Sequence, residues 1–499
     1  MSTVLHSPEQ AVDWLRLRTL GTLHADSRRV HAGDAFLAWP GAATDARRFV
    51  PTVLEAGATA CLIEHEGSDC MGLDLGDARL ACYAGLKLSA ASIAAQFFDH
   101  PSAAMQVLAV TGTNGKTSTA WWIAQALAAA GRRCAVVGTL GIGEPGQMTP
   151  NGLTTPDPVL LQRELRRLLD GGCTACALEA SSIGLAEGRL EGLKVHTAIF
   201  TNFTQDHLDY HGSMQAYWQA KARLFDWPGL RAAVVNIDDP KGAELAQRLE
   251  REGQLDLWTF SCQSSARLQA RDLRIAQATM VFDVYEGHRS HTLSAGVVGH
   301  YNVSNLLGVI AALRSLGLDL AQAVSACAQI TAVPGRMEWV GGTAEPLVVI
   351  DYAHTPDALE HALRALRPVA DARGGLLWVV FGCGGDRDRL KRPLMAAVAE
   401  RAADRLVLTS DNPRSESPQA IVQAMIAGLQ QAARAQVELD RASAIEQALQ
   451  QAQAADVVLV AGKGHEDYQE VLGHRRAFSD RQQAQRALVL RQQRKAVTS

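Results

Sequence analysis

The sequence predicts an α/β protein with mostly parallel sheets, divided into about three domains. Short runs of β-branched residues alternate with longer helical stretches along most of the chain, which is the pattern of repeated β-α-β units. At roughly 150 residues per domain, a length of 499 residues corresponds to about three domains. The composition, 47% hydrophobic and 20% charged, is that of an ordinary globular protein.

We expect a first domain over residues 1–100, with strands at AFLAWPG and ATACLIE. A helix, KLSAASIAAQFF, ends before DHPSAA, where the proline cannot continue it. A central domain over residues 101–334 has five apolar runs spaced by helices. In chain order they are VLAVTG, CAVVGT, CALEAS, HTAIFTNF and AAVVNIDD.

The end of the central domain changes character. ARDLRIAQ and TMVFDVYE alternate in polarity, which predicts a small antiparallel side sheet, and a helix follows from Asn302. A carboxy-terminal, Rossmann-like domain over residues 335–499 repeats the α/β pattern at LVVIDYAHTP, LLWVVFGCGGD, RLVLTSDNPR and DVVLVAGKGHE. It closes with an Arg/Gln-rich helix after Asp480.

Composition excludes several classes of protein. With 48 basic and 52 acidic residues the net charge is −4, and no long basic run is present, so we expect no nucleic-acid binding. No apolar stretch reaches the ~18 residues needed to cross a bilayer, and the amino terminus lacks the pattern of a signal peptide. Nine cysteines without framework spacing predict free thiols and a cytoplasmic location.

The strongest motif, VLAVTGTNGKTSTAWW, predicts a phosphate-binding loop between a strand and a long helix. Glycines let backbone N–H groups close around phosphate, and the helix amino terminus favours an anion. Lys116 would reach the β- and γ-phosphates, and Thr117 would offer its hydroxyl to Mg²⁺. The loop is two residues shorter than the usual G-x-x-x-x-G-K-[ST] spacing. We expect ATP contacts from Gly112, Thr113, Asn114, Gly115, Lys116, Thr117 and Ser118.

TGTNGKTS resembles the ATP loop of the Mur ligases and their folylpolyglutamate synthase relatives, which form amide bonds by phosphorylating a carboxylate. Nine further motifs occur in the family's order: EASS, TNFTQDHLDYHG, AKARLF, GHYNVSN, PGRME, DYAHTPD, GCGGDRD, SDNPR and GKGHE. The resemblance covers essentially the whole chain. Within the family, the chain most resembles the members that act in peptidoglycan precursor synthesis. These add meso-2,6-diaminopimelate to the D-glutamate γ-carboxylate of UDP-N-acetylmuramoyl-L-alanyl-D-glutamate. The resemblance implies a central ATP-binding domain of P-loop type.

The metal site combines residue chemistry with the resemblance. Thr117 and Glu179 follow predicted parallel strands, where open α/β sheets bind ligands, and both offer the oxygen atoms that Mg²⁺ prefers. By itself His207 could equally cap a helix or pack in a core, and Lys221 would lie on a solvated helix face. The resemblance implies that His207 ligates a second Mg²⁺ and that Lys221 carries a carbamate that helps to hold the metal. We expect catalysis from Lys116, His207 and Lys221, and a structural role for His211.

The resemblance also assigns the remaining substrate contacts. It places Asn305 and Arg336 near the adenine and phosphates, and Asp351 at the ribose. His354, three residues after Asp351, could donate to a phosphate. The resemblance places diaminopimelate at Arg387, Asp411, Asn412, Pro413, Arg414, Gly462 and Glu466. The arginines would donate paired hydrogen bonds to a substrate carboxylate, and the acidic side chains would accept hydrogen bonds from a substrate ammonium group. Because lysine lacks the second carboxylate, a buried arginine would be left unpaired and would reject it.

For the UDP-muramoyl dipeptide, the resemblance places the uridine at Ala25, Ser27, Ala42, Ala43 and Thr44. It places the muramoyl dipeptide at Thr154, Thr155, Ser181, Glu187 and Arg189. Two positions depart from the family pattern: Ile183 stands where His is usual, and Glu187 where Gln is usual, so Glu187 can accept hydrogen bonds but not donate them.

Three other functions remain open at this stage: a lysine-adding counterpart, a folylpolyglutamate synthase-like ligase, and an ATP-binding regulatory module without turnover. For the diaminopimelate-adding ligase that the resemblance implies, we expect a monomer that is not inserted in a membrane and whose partners are its small-molecule substrates.

Overall fold

The computed structural model describes residues 3–41, 44–276, 279–297, 299–341 and 345–498. The chain forms two compact units, one of Met1–Gln269 with Leu307–Ala326 and one of Ala270–Leu306 with Cys327–Ser499. The predicted α/β class with mostly parallel sheets is confirmed.

The first unit begins with a five-stranded, all-parallel sheet in the order β1-β5-β4-β3-β2. Its elements are β1 (Thr3–Leu5), α1 (Pro8–Arg16), β2 (Leu23–His24), β3 (Ala35–Ala38), α2 (Val50–Glu55), β4 (Ala60–Glu64), β5 (Leu80–Tyr83) and α3 (Leu86–Phe97). The strands AFLA and ACLIE are those that the sequence predicts.

The larger sheet of this unit has a parallel core in the order β13-β12-β11-β6-β10-β7, followed by antiparallel β8 and β9. Its elements are β6 (Gln106–Thr111), α4 (Lys116–Ala129), β7 (Cys134–Gly138), β8 (Gly141–Glu144), β9 (Gln147–Thr149), α5 (Pro158–Asp170), β10 (Ala175–Glu179), α6 (Ser182–Ala186), β11 (Val195–Phe200), α7 (Leu208–His211), α8 (Met214–Ala222), β12 (Ala232–Asn236), α9 (Pro240–Glu252) and β13 (Asp256–Ser261). The central strands are mostly apolar and almost entirely buried, as expected for strands covered on both faces.

The region of the predicted side sheet contains three strands and two helices: β14 (Leu268–Ala276), β15 (Thr279–Glu286), β16 (Arg289–Ala295), α10 (His300–Ser315) and α11 (Leu320–Cys327). β15 and β16 form an antiparallel hairpin, which confirms the expected antiparallel character. The helix begins at His300, two residues before the predicted Asn302.

The second unit is built on a six-stranded sheet in the order β17-β18-β22-β19-β20-β21, parallel except for β17. Its elements are β17 (Glu338–Val340), β18 (Leu347–Asp351), α12 (Pro356–Arg373), β19 (Leu377–Phe381), α13 (Lys391–Ala402), β20 (Arg405–Leu408), α14 (Pro418–Ile426), β21 (Ala435–Val437), α15 (Arg441–Gln451), β22 (Val457–Ala461), the hairpin β23 (Tyr468–Val471) and β24 (His474–Ala477), and α16 (Asp480–Thr498).

Several helices begin at a capping residue followed by proline. Asp157 accepts hydrogen bonds from Val159 and Leu160 at the start of α5, and Asp239 caps α9 in the same way. Proline suits the next position because its fixed φ is helical and its missing N–H would be unpaired there anyway. The capping residues and prolines therefore determine the residue at which each of these helices begins.

The eight cysteines whose side chains the structure describes are all free thiols. Among the residues that the structure describes, no helix is both long enough and apolar enough to cross a membrane.

Candidate active site

The phosphate loop lies between β6 and α4 and depends on two glycines with positive φ. Gly112 has φ +143° and Gly115, at the amino-terminal cap of α4, has φ +83°. A Cβ on Gly112 would lie 1.9 Å from Thr201 Oγ1, so no larger residue fits there. The loop therefore has the backbone freedom and the helix terminus that phosphate binding needs.

The segment after β11 braces this loop. Asn202 accepts from the backbone N–H of Thr113 through its carbonyl (2.9 Å) and from that of Asn114 through Oδ1 (2.9 Å). Thr201 Oγ1 donates to the carbonyl of Asn114 at 2.6 Å. These bonds hold the loop's curvature before any ligand binds.

Lys116 and Lys221 converge on one backbone oxygen. Lys221 Nζ donates to the Gly112 carbonyl at 2.6 Å, and Lys116 Nζ donates to the same carbonyl at 3.0 Å and to that of Thr113 at 2.8 Å. Lys221 is 1% exposed rather than solvated. Burial, and then the neighbouring Lys116 charge, lower the pKa of Lys221 well below its ordinary value of 10.5.

Tyr217 on α8 joins these groups. Its ring lies 4.4 Å from Lys221 Nζ, its hydroxyl lies 3.1 Å from Thr113 Oγ1, and the rings of His207 and His211 pack beside it. Burial lowers the pKa of His207; the Asp206 carboxylate opposes this effect, and the Lys116 charge adds to it. A neutral imidazole is the form that binds a metal.

Glu179, at the end of β10, is a buried carboxylate with three hydrogen-bond donors. Its Oε2 accepts from Thr117 Oγ1 (2.9 Å) and Thr139 Oγ1 (3.3 Å), and its Oε1 accepts from the Thr139 N–H (2.7 Å). A Cβ on Gly138 would lie 2.2 Å from Oε1. The Thr117 hydroxyl and the Glu179 carboxylate are hard oxygen donors that fit Mg²⁺. The described residues contain no preformed cluster of three or more His, Cys, Asp or Glu side chains.

The residues predicted to bind the muramoyl dipeptide form one network beside Glu179. Thr155 Oγ1 donates to the Glu179 carbonyl at 2.7 Å and lies 2.8 Å from Ser181 Oγ, and Arg189 donates to the Thr155 carbonyl at 2.9 Å. Thr154 Oγ1 lies 3.1 Å from Thr139 Oγ1. Glu187, which stands where the family usually has Gln, accepts a hydrogen bond from the Tyr210 hydroxyl at 3.2 Å.

A cavity of about 660 Å³ brings together three of the residues predicted to bind uridine, Ala25, Ser27 and Thr44. Arg163 and His24 also line it; Arg163 Nη1 lies 2.9 Å from His24 Nδ1, and His24 Nε2 lies 3.2 Å from Asp34. Ala42 and Ala43 lie outside the described residues.

In the second unit, the predicted nucleotide residues lie around the end of β18. Asp351 accepts from the N–H groups of Met337 and Ala353, each at 2.8 Å, and burial raises its pKa. The Arg336 guanidinium lies 4.5 Å from the Tyr352 ring. His354 Nδ1 lies 2.8 Å from the Tyr352 carbonyl, whereas Asn305 is buried on α10 near Asn302.

The predicted amine-site residues form a second cluster, at the ends of β20 and β22. Asn412 Nδ2 donates to Glu466 Oε2 at 2.8 Å. Arg414, with φ +52°, donates to the Gly385 carbonyl at 2.8 Å and lies against Gly384. Arg387 is exposed and donates to the Asp386 carbonyl at 3.0 Å.

Gly462 and Pro413 complete this cluster. Gly462 has φ +114°, and a Cβ there would lie 2.7 Å from Asp411 Oδ2. Pro413 is buried beside Asn412. The arrangement offers a guanidinium for carboxylate and acidic oxygens for ammonium on neighbouring loops.

Sequence reasoning missed four residues that organise these sites: Thr139, Thr201, Asn202 and Tyr217. Thr201 and Asn202 lie within the quoted TNFTQDHLDYHG motif. Their position directly after a parallel strand could have identified them as site residues. Tyr217 lies on the same short helix as Lys221, one turn earlier. Thr139 has no signal in the sequence beyond its place at the end of β7.

The short glycine loop, the buried carboxylate at the next strand end and the buried lysine define a phosphate-binding α/β protein of P-loop type. Residues 110–313 match the model of the Mur ligase middle domain, and residues 335–464 match that of the Mur ligase glutamate ligase domain. The chain belongs to the Mur ligase family.

Individual relatives resemble it over nearly their full length. A UDP-N-acetylmuramoyl-L-alanyl-D-glutamate–2,6-diaminopimelate ligase of Acidovorax sp. (strain JS42) is 56% identical, with 97% of each chain covered. The protein of the same name from Janthinobacterium sp. (strain Marseille) is 47% identical, with 96% of each covered. A solved structure of a ligase of that name superposes with a TM-score of 0.66 at 36% identity, covering 94% of this chain and 95% of the other.

Proposed function

We propose that this chain is an ATP-dependent ligase that joins meso-2,6-diaminopimelate to the D-glutamate γ-carboxylate of UDP-N-acetylmuramoyl-L-alanyl-D-glutamate, in peptidoglycan precursor synthesis. The observation that carries the proposal is the 56% identity to a ligase of that name over 97% of both chains. The phosphate loop with Glu179, and the amine-site cluster at the ends of β20 and β22, supply the chemistry that such a reaction needs.

In the proposed reaction the substrate carboxylate attacks the γ-phosphorus of ATP, and ADP leaves. The amine of diaminopimelate then attacks the acyl phosphate, and the tetrahedral intermediate expels inorganic phosphate. Bound Mg²⁺ would neutralise phosphate charge. The chain's part is positioning and electrostatics: the loop N–H groups and Lys116 hold the phosphates, and Thr117 and Glu179, with His207, would hold the metal.

Lys221 is proposed to carry a carbamate. Its neutral amine would attack CO₂, forming an N–C bond and releasing one proton, and the product would be an anion with two oxygen donors. The burial of Lys221, its lowered pKa and the absence of a carboxylate bonded to Nζ among the described residues all support a neutral amine. Nuclear magnetic resonance of the protein in ¹³C-bicarbonate tests this, because a carbamate resonance should be present in the wild type and lost in Lys221→Met.

Substrate roles follow the same division. Ala25, Ser27 and Thr44, with Ala42 and Ala43, are proposed to bind uridine, while Thr154, Thr155, Ser181, Glu187 and Arg189 bind the muramoyl dipeptide. Asn305, Arg336, Asp351 and His354 are proposed to contact the nucleotide. Arg387, Asp411, Asn412, Pro413, Arg414, Gly462 and Glu466 are proposed to bind diaminopimelate.

We further propose domain boundaries near residues 100 and 334, a monomeric enzyme and a cytoplasmic reaction, since the cytoplasm supplies ATP and nucleotide-linked precursors.

The proposal is tested by incubating the purified chain with ATP, Mg²⁺, the UDP-muramoyl dipeptide labelled with ¹⁸O in its γ-carboxylate, and diaminopimelate. Mass spectrometry should show the amide product together with phosphate that carries ¹⁸O. Product without label in phosphate would contradict the acyl-phosphate route, and no product would contradict the function.

A further inference from the structure

A fully buried lysine, Lys463, lies beneath the proposed amine site. Its side chain is 0% exposed, and its ammonium group donates to Asn412 Oδ1 at 3.0 Å and to Glu466 Oε2 at 2.8 Å. The Tyr468 ring lies 5.4 Å from Nζ. A buried cation is costly unless it is paired and hydrogen-bonded, and here two proposed substrate residues supply the pairing.

Lys463 sets the orientation of the Asn412 amide. An ammonium group can only donate, so the Asn412 atom that it contacts is the oxygen. The N–H of Glu470 donates to that same Oδ1 at 3.0 Å. The amide nitrogen is thereby turned toward Glu466, whose Oε2 it reaches at 2.8 Å.

The same contacts set the orientation of the Glu466 carboxylate. Oε2 accepts both from Lys463 and from Asn412. In the described part of the chain no hydrogen bond engages Oε1, and the side chain is 16% exposed. Since each carboxylate oxygen can accept two hydrogen bonds, Oε1 is available to a substrate ammonium.

We propose that Lys463 is a positioning residue for the amine substrate, a role that rests on the proposed function. It links the loop after β20 to the loop after β22, two strands separated by β19. It does not touch the substrate; it holds Asn412 and Glu466 in the orientation in which their remaining polar atoms receive the amino-acid end of diaminopimelate.

The test is Lys463→Met, which keeps most of the length of the side chain and removes its ammonium group. The KM for diaminopimelate should rise by about tenfold or more, while the KM values for ATP and for the UDP-muramoyl dipeptide stay within about twofold. A diaminopimelate KM within twofold of the wild type, or equal increases in all three KM values, would overturn the inference. Arg491→Met is the matched control: it removes a largely buried cation that pairs with Glu345 at 3.1 Å, elsewhere in the unit, and should leave the diaminopimelate KM unchanged.

A second comparison does not depend on an unpaired buried charge. Glu466→Gln alone should weaken diaminopimelate binding. Adding Lys463→Met should raise the KM by less than about threefold more, because the lysine acts through the hydrogen-bonded pair of Asn412 and Glu466, which Glu466→Gln already disrupts. A full multiplication of the two effects would overturn the inference. A wild-type chain without diaminopimelate-dependent phosphate release would instead contradict the proposed function itself.

Discussion

Lys221 and Lys116 donate hydrogen bonds to the same carbonyl oxygen, that of Gly112, at 2.6 and 3.0 Å. Two ammonium groups on one oxygen repel each other, and Lys221 is almost completely buried as well. Both effects favour the neutral amine of Lys221.

This relationship predicts a pH-dependent difference in stability between the wild type and Lys221→Met. Because the pKa of Lys221 is lower in the folded than in the unfolded chain, the unfolded chain binds more protons between the two pKa values. The wild-type free energy of unfolding should therefore rise with pH relative to that of Lys221→Met, by up to about 1.4 kcal/mol per pH unit within that window. Urea unfolding in CO₂-free buffers between pH 7 and 9.5 measures the difference.

Lys241→Met, at a partly exposed lysine that pairs with Glu244, is the control and should follow the wild-type profile. Parallel profiles for the wild type and Lys221→Met would show that the buried amine is protonated throughout.

Gly112→Ala should abolish nucleotide binding. Its Cβ would lie 1.9 Å from Thr201 Oγ1 on a residue with φ +143°, so the loop must shift, and we expect a loss of about 2–3 kcal/mol in stability. Gly131→Ala, at the other end of α4, has φ +78° but open space around its Cβ. It should cost about 1 kcal/mol and retain ATP affinity. Calorimetric titration with ADP distinguishes the two variants. Equal ADP affinities would contradict the claim that the phosphate loop cannot accommodate a Cβ at position 112.

Glu179→Gln should weaken the use of Mg²⁺. The substitution keeps the shape of the side chain but removes the charge that faces Thr117 and Thr139, so the Mg²⁺ concentration for half-maximal turnover should rise by about tenfold. Glu144→Gln, at a surface carboxylate paired with Arg133, should leave that concentration unchanged. An unaltered Mg²⁺ requirement in Glu179→Gln would remove Glu179 from the proposed metal site.

Arg414→Ala should raise the KM for diaminopimelate by about 100-fold, because the guanidinium provides charge-assisted hydrogen bonds to carboxylate. The KM for ATP should change little. Arg475→Ala provides the comparison: this arginine is 63% exposed on β24 and pairs with Glu470. Full diaminopimelate affinity in Arg414→Ala would show that the second carboxylate binds elsewhere.

The fold could be predicted largely because its parallel strands are continuous apolar runs bounded by glycine, proline and capping residues. AFLA, CAVVG and LWVVF are examples whose burial follows from composition alone. The third strand of the β14–β16 region escaped prediction, since SHTLSA is polar and largely exposed, and its pairing depends on the neighbouring strand rather than on its own pattern.

The candidate site could be predicted where chemistry is local to a motif, as in the phosphate loop. Lys221 is the opposite case: its helix has no marked apolar face, so the sequence alone suggests a solvated lysine, and only the fold buries it against Tyr217. Thr139 is a similar case, because its contact with Glu179 arises from adjacent strand ends 40 residues apart in sequence.

The most direct test of the account is the rate of phosphate release from ATP in the presence of the UDP-muramoyl dipeptide, with diaminopimelate or lysine as the amine. We predict rapid release with diaminopimelate and release about 100-fold slower with lysine, which leaves the arginine site unpaired. Equal rates would contradict the assigned specificity, and no release with either amine would contradict the ligase function.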